Sequence, residues 1–331
     1  MSQVRIALDA MGGDDAPEAV LKGALRACSE SVARPVEPGQ VLLVGDERRI
    51  EACLADLGGN PGFEVVHASQ AIEMGESPST ALRSKPDSSI AVGVRCVAES
   101  RAGAFVSMGN TGAVVGASTL GLGTLQNVKR PAIAVTLELT GRPLTLLDMG
   151  ANVAPKPDHL VQSAWMGSIH AKHALGVNSP RVALLNIGEE PSKGTDLQKT
   201  AYGALESSGL EFVGNIEGEE LFSDRADVVV MDGFTGNVVL KLLEGFAGFM
   251  MGMMLREIRQ HGATWGDEAL QRLKGQIDYS EYGGALLLGV KGGVVIGHGR
   301  SDAGAVSNAI SVAAQSLEAR VNEQIVAGLE A

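Results

Sequence analysis

The stretch Val4-Arg-Ile-Ala-Leu-Asp-Ala-Met-Gly-Gly-Asp-Asp-Ala-Pro17 decides the fold class. Val4–Asp9 is a short apolar run of strand length. It breaks on a loop holding two glycines and two aspartates. Pro17 then suits the first turn of a helix, where its missing N–H would have had no partner anyway. Strand, Gly-rich loop and helix make the opening of a β-α unit. In open α/β sheets such loops lie outside the carboxyl ends of the strands, where ligands bind.

Working outward, the same alternation repeats almost to the end of the chain. Further strands are predicted at Val41–Gly45, Glu64–His67, Ala104–Ser107, Ile133–Leu139, Leu144–Asp148, Val182–Asn186, Val228–Met231 and Val294–Gly297. Helix-length segments lie between them, among them Pro17–Val32, Asp87–Ser100, Pro157–Ala174 and Asp302–Val326. The pattern predicts an α/β protein, a three-layer α/β/α arrangement with a mostly parallel, Rossmann-like sheet. Around Gly141-Arg142-Pro143 two apolar runs joined by a short turn predict a hairpin instead. No linker divides the chain, so residues 1–331 read as one domain with a helical excursion at about 235–282.

Composition agrees. Of 331 residues 45% are hydrophobic and only 4% aromatic, with 43 glycines, a balance that suits a Val/Ala/Gly-rich parallel sheet with tight turns. The net charge is −12 without a basic stripe, which excludes the electrostatic footprint of a nucleic-acid binder. Cys28, Cys53 and Cys96 are widely spaced and odd in number, so a reduced, cytoplasmic protein is expected. The chain enters its first strand without a basic-then-apolar leader, so no signal peptide is expected. The apolar stretch Leu242–Leu255 is interrupted by Glu244 and reads as too short to span a membrane.

Six Gly/Asn/Thr loops follow predicted strands: Asp9–Pro17, Ser107–Gly112, Asp148–Asn152, Asn186–Glu190, Asp232–Asn237 and Gly297–Asp302. Glycine lets backbone N–H groups approach an anion, and a helix N-terminus favours negative charge. Turn and capping chemistry accounts for any one such loop. Six of them in register with strand ends point to a phosphate-bearing ligand. The P-loop pattern is absent, because in Gly188-Glu-Glu-Pro-Ser-Lys-Gly194 the lysine precedes the glycine. Gly121-Leu-Gly123 lacks the third glycine of a dinucleotide fingerprint, and no G-x-S-x-G elbow occurs. His170 and His173 have no acidic partner alongside and read as a solvated helix face.

Taken in order, the blocks DAMGGDDAP (9–17), SMGNTGA (107–113), KRPAI (129–133), LDMGAN (147–152), LLNIGEE (184–190), FTGNVVLK (234–241), YGGALLLG (282–289) and GHGRSDAGAVSNAI (297–310) resemble one family closely. It is the PlsX family, the phosphate acyltransferases of bacterial phospholipid synthesis. The resemblance implies conversion of acyl-[acyl carrier protein] and inorganic phosphate to acyl phosphate and free carrier protein. It implies a homodimer whose fold is similar to isopropylmalate dehydrogenase and phosphotransacetylase, with no cofactor and no metal. The product would pass to a membrane-bound glycerol-phosphate acyltransferase. A cytoplasmic location, with peripheral membrane contact as an option, is implied as well.

On this reading the phosphate and substrate site draws on Asp9, Gly12, Gly13, Asn110, Thr111, Gly112 and Asn152. Lys193 and His298 are expected at the reacting centre, with Asn237 and Ser301 in support. A solvated loop lysine and a loop-bracing histidine are the plainer alternatives for the first pair. Phosphate is itself the nucleophile and a thiolate of pKa ~8.5 leaves readily, so positioning and oxyanion donors matter more than a strong base. On a helical wheel Leu242, Phe246, Phe249, Met250 and Met253 share one face. Phe246, Phe249, Met253, Arg256, Arg259 and Lys274 are the expected contacts to the acidic carrier protein or a bilayer; a dimer partner is the alternative. Two rivals stay open on sequence alone: a dehydrogenase or short-chain phosphotransacetylase of the same fold, and a non-catalytic phospholigand binder.

Overall fold

In the computed structural model, which describes residues 4–32, 34–138, 141–260 and 284–330, the alternation becomes strands and helices. The chain gathers into two compact units, Met1–Pro131 with Tyr282–Ala331, and Ala132–Glu281, where the sequence reads as one domain.

The first unit contains β1 (Ile6–Asp9), α1 (Glu18–Ala27), β2 (Val41–Gly45), α2 (Glu47–Asp56), β3 (Glu64–His67), α3 (Pro78–Ser84), α4 (Ser89–Ala98), β4 (Ala104–Ser107) and α5 (Thr111–Gly121). Its strands run in the order β3-β2-β1-β4, then continue with two strands from the end of the chain. β1 pairs in parallel with β2 and β4, and β2 with β3. β1, β2 and β4 are buried at every position, so both faces of this sheet are covered. α1 packs inward with Val20, Leu21, Ala24 and Ala27, spaced for one helical face.

The second unit contains β5 (Ala132–Leu137), β6 (Leu144–Leu147), α6 (Pro157–His173), β7 (Val182–Leu185), α7 (Asp196–Glu206), β8 (Phe212–Ile216), β9 (Val228–Val230) and α8 (Gly233–Gln260). Its strand order is β5-β6-β9-β7-β8. The expected hairpin forms: Val135 faces Leu146 and Leu137 faces Leu144 in antiparallel register, while the remaining pairs are parallel. The chain then returns to the first unit with β10 (Ala285–Leu288), β11 (Gly293–Ile296), α9 (Ala303–Glu318) and α10 (Val321–Glu330). β11 joins β4 in parallel and β10 antiparallel. α9 packs on α1, β4 and β11, and α4 on β1, β2 and β4. The result is the expected α/β fold, a mostly parallel sheet layered between helices.

Three features depart from the sequence reading. β8 and β10 were not anticipated as strands. The segment 302–326 is not one helix, because Arg320 takes φ +51° and ends α9 in a left-handed cap before α10 begins. α8 is much longer than the apolar run Leu242–Leu255, since it begins inside the Asp232–Asn237 loop. By length and composition alone, its residues Gly233–Ile258 could cross a membrane, and only 6% of the 18-residue apolar window within them is buried. The rest of the expected excursion lies outside the described residues.

Two buried polar groups bear on stability. Asp227, at the amino end of β9, is 2% exposed and accepts Arg181 Nε and N at 3.0 and 2.9 Å and Arg142 Nη2 at 3.0 Å. Burial would raise this carboxyl, but the guanidinium partners hold it below its ordinary range. His170 is not on a solvated face as its spacing suggested; it is 3% exposed, its Nδ1 is buried without a partner, and burial pushes its pKa down to about 4. His173, by contrast, is exposed.

His170 makes stability depend on pH. Unfolded, it titrates near ~6.5. Folded, it stays neutral down to about 4. Its contribution is therefore fully present above the unfolded value and is lost as pH falls toward the folded one. Chemical denaturation at successive pH values should show a loss of roughly 3 kcal/mol across that window from this group. His170→Leu should flatten that part of the curve; an unchanged slope would show that the ring charges freely in the folded state.

Candidate active site

Loops after adjacent parallel strands gather at one edge of each unit's sheet. In the first unit they follow β1, β4 and β11. Asp9 ends β1 fully buried: Oδ2 accepts the Ser107 hydroxyl at 2.7 Å and Oδ1 accepts Met11 N at 3.0 Å. Ser107 Oγ in turn accepts Gly109 N at 3.0 Å, which joins the first two loops. Burial pushes the Asp9 carboxyl up, and these donors pull it part of the way back. Gly12 lies against this cluster so closely that a Cβ would come within 2.6 Å of Asp9 Oδ2.

The third loop closes on the first through Asp14 N, which donates to Gly299 O at 2.7 Å. His298 and Ser301 brace each other: His298 N donates to Ser301 Oγ at 3.1 Å and Ser301 N donates to His298 O at 2.9 Å. Arg300 N donates to His298 Nδ1 at 3.2 Å. The neutral ring therefore carries its proton on Nε2, as a hydrogen-bond donor.

Asn110 caps α5 by accepting Ala113 N at 3.0 Å. Its Nδ2 donates to Met74 O and Glu76 O, each at 3.0 Å, so its amide holds the 73–76 segment in place. Thr111 and Gly112 occupy the exposed first turn, and among the described residues no acceptor takes their N–H groups. The expected residues Asp9, Gly12, Gly13, Asn110, Thr111, Gly112, His298 and Ser301 thus share one loop cluster. Asp9 and Asn110 serve inside it as struts.

The second unit repeats the design with the loops after β6, β9 and β7. Asp148 is its hub. Oδ1 accepts Ile133 N at 3.0 Å, Gly150 N at 3.1 Å and Ala151 N at 2.9 Å. Oδ2 accepts Asn152 N at 2.7 Å and Asn152 Nδ2 at 2.9 Å. Burial pushes this carboxyl up and the N–H donors offset part of the effect. Asn152 O accepts Gly233 N at 2.8 Å, and Asp232 caps α8 by accepting Thr235 N at 2.9 Å and its hydroxyl at 2.7 Å. Gly236 passes so close that a Cβ would fall 1.9 Å from Asp148 O.

Asn152 and Asn237 therefore belong to one cluster, with Asn237 exposed beside Gly150. Lys193 lies in the neighbouring loop after β7. It is exposed, its stem lies beside Gly188, and its Nζ is 4.0 Å from Glu190 Oε2. Asn186 Nδ2 donates to Lys193 O at 3.2 Å, and buried Asn215 Nδ2 donates to Glu190 O at 3.0 Å. Phe246, Phe249 and Met253 are exposed along α8, as is Arg256; Arg259 and Lys274 lie outside the described side chains.

The supports Ser107, Asp148, Asn186, Asn215 and Asp232 were missing from the sequence-derived set. The signal for Asp148 and Asp232 was present: each is an aspartate ending a strand just before a glycine loop or helix start. Chemically, the carboxylates of Asp9, Asp148 and Asp232 are buried, the first-turn N–H groups at Thr111 and Gly112, the Asn237 amide and the Lys193 ammonium are exposed, and the His298 imidazole is half-buried. Such a set can hold an anion and a developing oxyanion. Among the described residues no group of three or more His, Cys, Asp or Glu is placed to hold a metal.

Asp148→Asn should turn one acceptor into a donor that faces N–H groups. We expect a loss of roughly 3 kcal/mol by chemical denaturation, from buried donors left without an acceptor. Gly236→Ala should be at least as damaging, because the Cβ meets backbone. Near-normal stability of both variants would show that this hub is dispensable.

Comparison with known proteins follows the same lines. The family model "Fatty acid synthesis protein" matches residues 4–324. The chain is 48% identical over 322 residues to the phosphate acyltransferase of Heliobacterium modesticaldum, covering 95% of this chain and 94% of that one. It is 45% identical to the phosphate acyltransferase of Pelotomaculum thermopropionicum, covering 99% and 95%. In fold it is similar to a phosphotransacetylase from Streptococcus pyogenes, with TM-score 0.61, 16% identity and coverage of 96% and 95%. A branched-chain phosphotransacylase from Enterococcus faecalis gives TM-score 0.57 at 17% identity, covering 94% and 99%. With inward carboxylates, outward donors and near full-length likeness to acyltransferases, the chain belongs to the PlsX family of phosphate acyltransferases and is an enzyme of acyl transfer involving phosphate.

Proposed function

We propose that this enzyme takes a long-chain acyl group from acyl-[acyl carrier protein] and passes it to inorganic phosphate, feeding glycerol-phosphate acylation by a membrane-bound partner. The observation that carries the reading is the inward turn of Asp9 and Asp148, which engages both strand-end carboxylates with the protein's own donors and leaves neither as a base at the loop edge. A phosphate oxygen attacks the thioester carbonyl and a C–O bond forms. The tetrahedral oxyanion collapses, the C–S bond breaks, and the thiolate leaves with the electron pair. The reaction asks for two anionic partners to be held and an oxyanion to be met by hydrogen-bond donors.

In this reading the first turn of α5, with Thr111 and Gly112, and the His298 Nε2–H supply donors. Lys193 supplies positive charge, with Asn237 and Ser301 in support. The test is thiol release from a long-chain acyl carrier protein with phosphate present, and acyl phosphate identified by mass spectrometry. Lys193→Ala and His298→Ala should each lower turnover at least tenfold, about 1.4 kcal/mol in the barrier. Normal turnover in either folded variant removes that residue from the mechanism. Equal turnover of acetyl-coenzyme A would favour a short-chain phosphotransacetylase.

The exposed α8 stripe supports the proposed homodimer or a peripheral, cytoplasmic membrane contact. Phe234, Leu242, Phe246 and Phe249 are all more than half exposed there, an apolar surface that water does not favour. For the membrane option, vesicle flotation of wild type and a Phe246/Phe249/Met253→Ser variant gives the readout. Loss of flotation in the variant supports direct contact; equal flotation excludes this face as the anchor.

A further inference from the structure

A cleft of about 1180 Å³ lies in the first unit at the amino ends of β1, β4 and β11, the sheet edge opposite the loops of the candidate site. A smaller hollow of about 300 Å³ adjoins it through Lys291, Gly292, Leu317 and Glu323. Four cations line the cleft: Arg5, Arg101, Lys291 and Arg320. Arg5 and Arg101 share the single carboxylate of Glu64. Glu318 is taken by Arg34 at 3.1 Å, and Arg320 pairs with Glu323 at 3.3 Å. Lys291 is exposed, and no carboxylate among the described residues pairs with its ammonium. Positive charge is therefore in excess here, in a chain of net charge −12.

Helix ends explain only part of this charge. α4, α5 and α9 terminate at the cleft, and Arg101, Lys291 and Arg320 sit just beyond them. A helix C-terminus carries about half a negative charge, whereas each side chain carries a full positive one. The walls are apolar: Val97 and Leu122 are nearly buried, and Leu317 joins them. Ala98, which is exposed, puts only a methyl group into the space, and Gly103 lets Leu317 pack close against the backbone. A free inorganic anion would meet the cations and leave these walls wet, while an uncharged chain would leave the cations unused.

We propose that this cleft is a second binding site, for a long-chain fatty acid. The chain lies against Val97, Leu122 and Leu317, and its carboxylate meets Lys291 with Arg101 or Arg320. The site does not depend on the acyl-transfer reading, because it shares no residue with the candidate active site.

Isothermal titration of the full chain with laurate, below the concentration at which it forms micelles, tests the proposal. Wild type should bind laurate. Lys291→Glu, which reverses the charge, and Ala98→Trp, which fills the cleft from an exposed position, should each weaken that binding at least tenfold with unchanged melting temperature. His298→Ala should bind laurate as wild type does, which separates this cleft from the site of chemistry. Acetate and dodecyl maltoside, each carrying half of the recognition, should not displace laurate. Unchanged binding in either cleft variant, displacement by the maltoside, or loss of binding in His298→Ala overturns the proposal.

Discussion

The carboxylate of Asp148 is the constraint on which the second unit's site depends. Five N–H donors from β5 and the 150–152 turn converge on its two oxygens, so the loop has one conformation that satisfies them. A buried carboxylate is tolerated only with such partners. Because Asn152 O then accepts the first N–H of α8, the start of a 28-residue helix is fixed by the same group. Asp9 plays the corresponding part in the first unit, holding Ser107 and the backbone of its own loop.

This division of labour resolves a tension in the charge. An enzyme of net charge −12 that handles anions must keep its acids away from them. At the ends of β1, β6 and β9 the acids Asp9, Asp148 and Asp232 are turned inward and held by N–H and hydroxyl donors, while Asp14, Asp15, Glu189 and Glu190 stay exposed farther along the loops. Rigid struts also spare the donors any reorganisation at the moment of reaction, which is what electrostatic stabilisation of an oxyanion requires.

Much of this was legible in the sequence. Short apolar runs bounded by glycine loops marked nine strands, and the Gly-Arg-Pro turn marked the hairpin. β8 escaped because Phe212–Ile216 carries Gly214 and Asn215 and is only partly buried at the sheet edge. β10 escaped because Ala285–Leu288 is as compatible with a helix as with a strand. Arg320 gave no sign of a helix end, since a glycine or asparagine is the usual occupant of that conformation. His170 looked solvated because its neighbours Lys172 and His173 are polar, yet it points into the core. Among site residues, the glycines and the strand-end blocks were readable. The roles of Asp9 and Asn110 were not, because residue type alone does not say whether a polar side chain faces a ligand or its own backbone.

The central claim is that outward donors, and no covalent nucleophile, carry acyl transfer. Intact-protein mass spectrometry after mixing with long-chain acyl carrier protein in the absence of phosphate tests it most directly. The account predicts an unmodified enzyme mass and no burst of free thiol. A stoichiometric acyl adduct on the chain, released on adding phosphate, would contradict it.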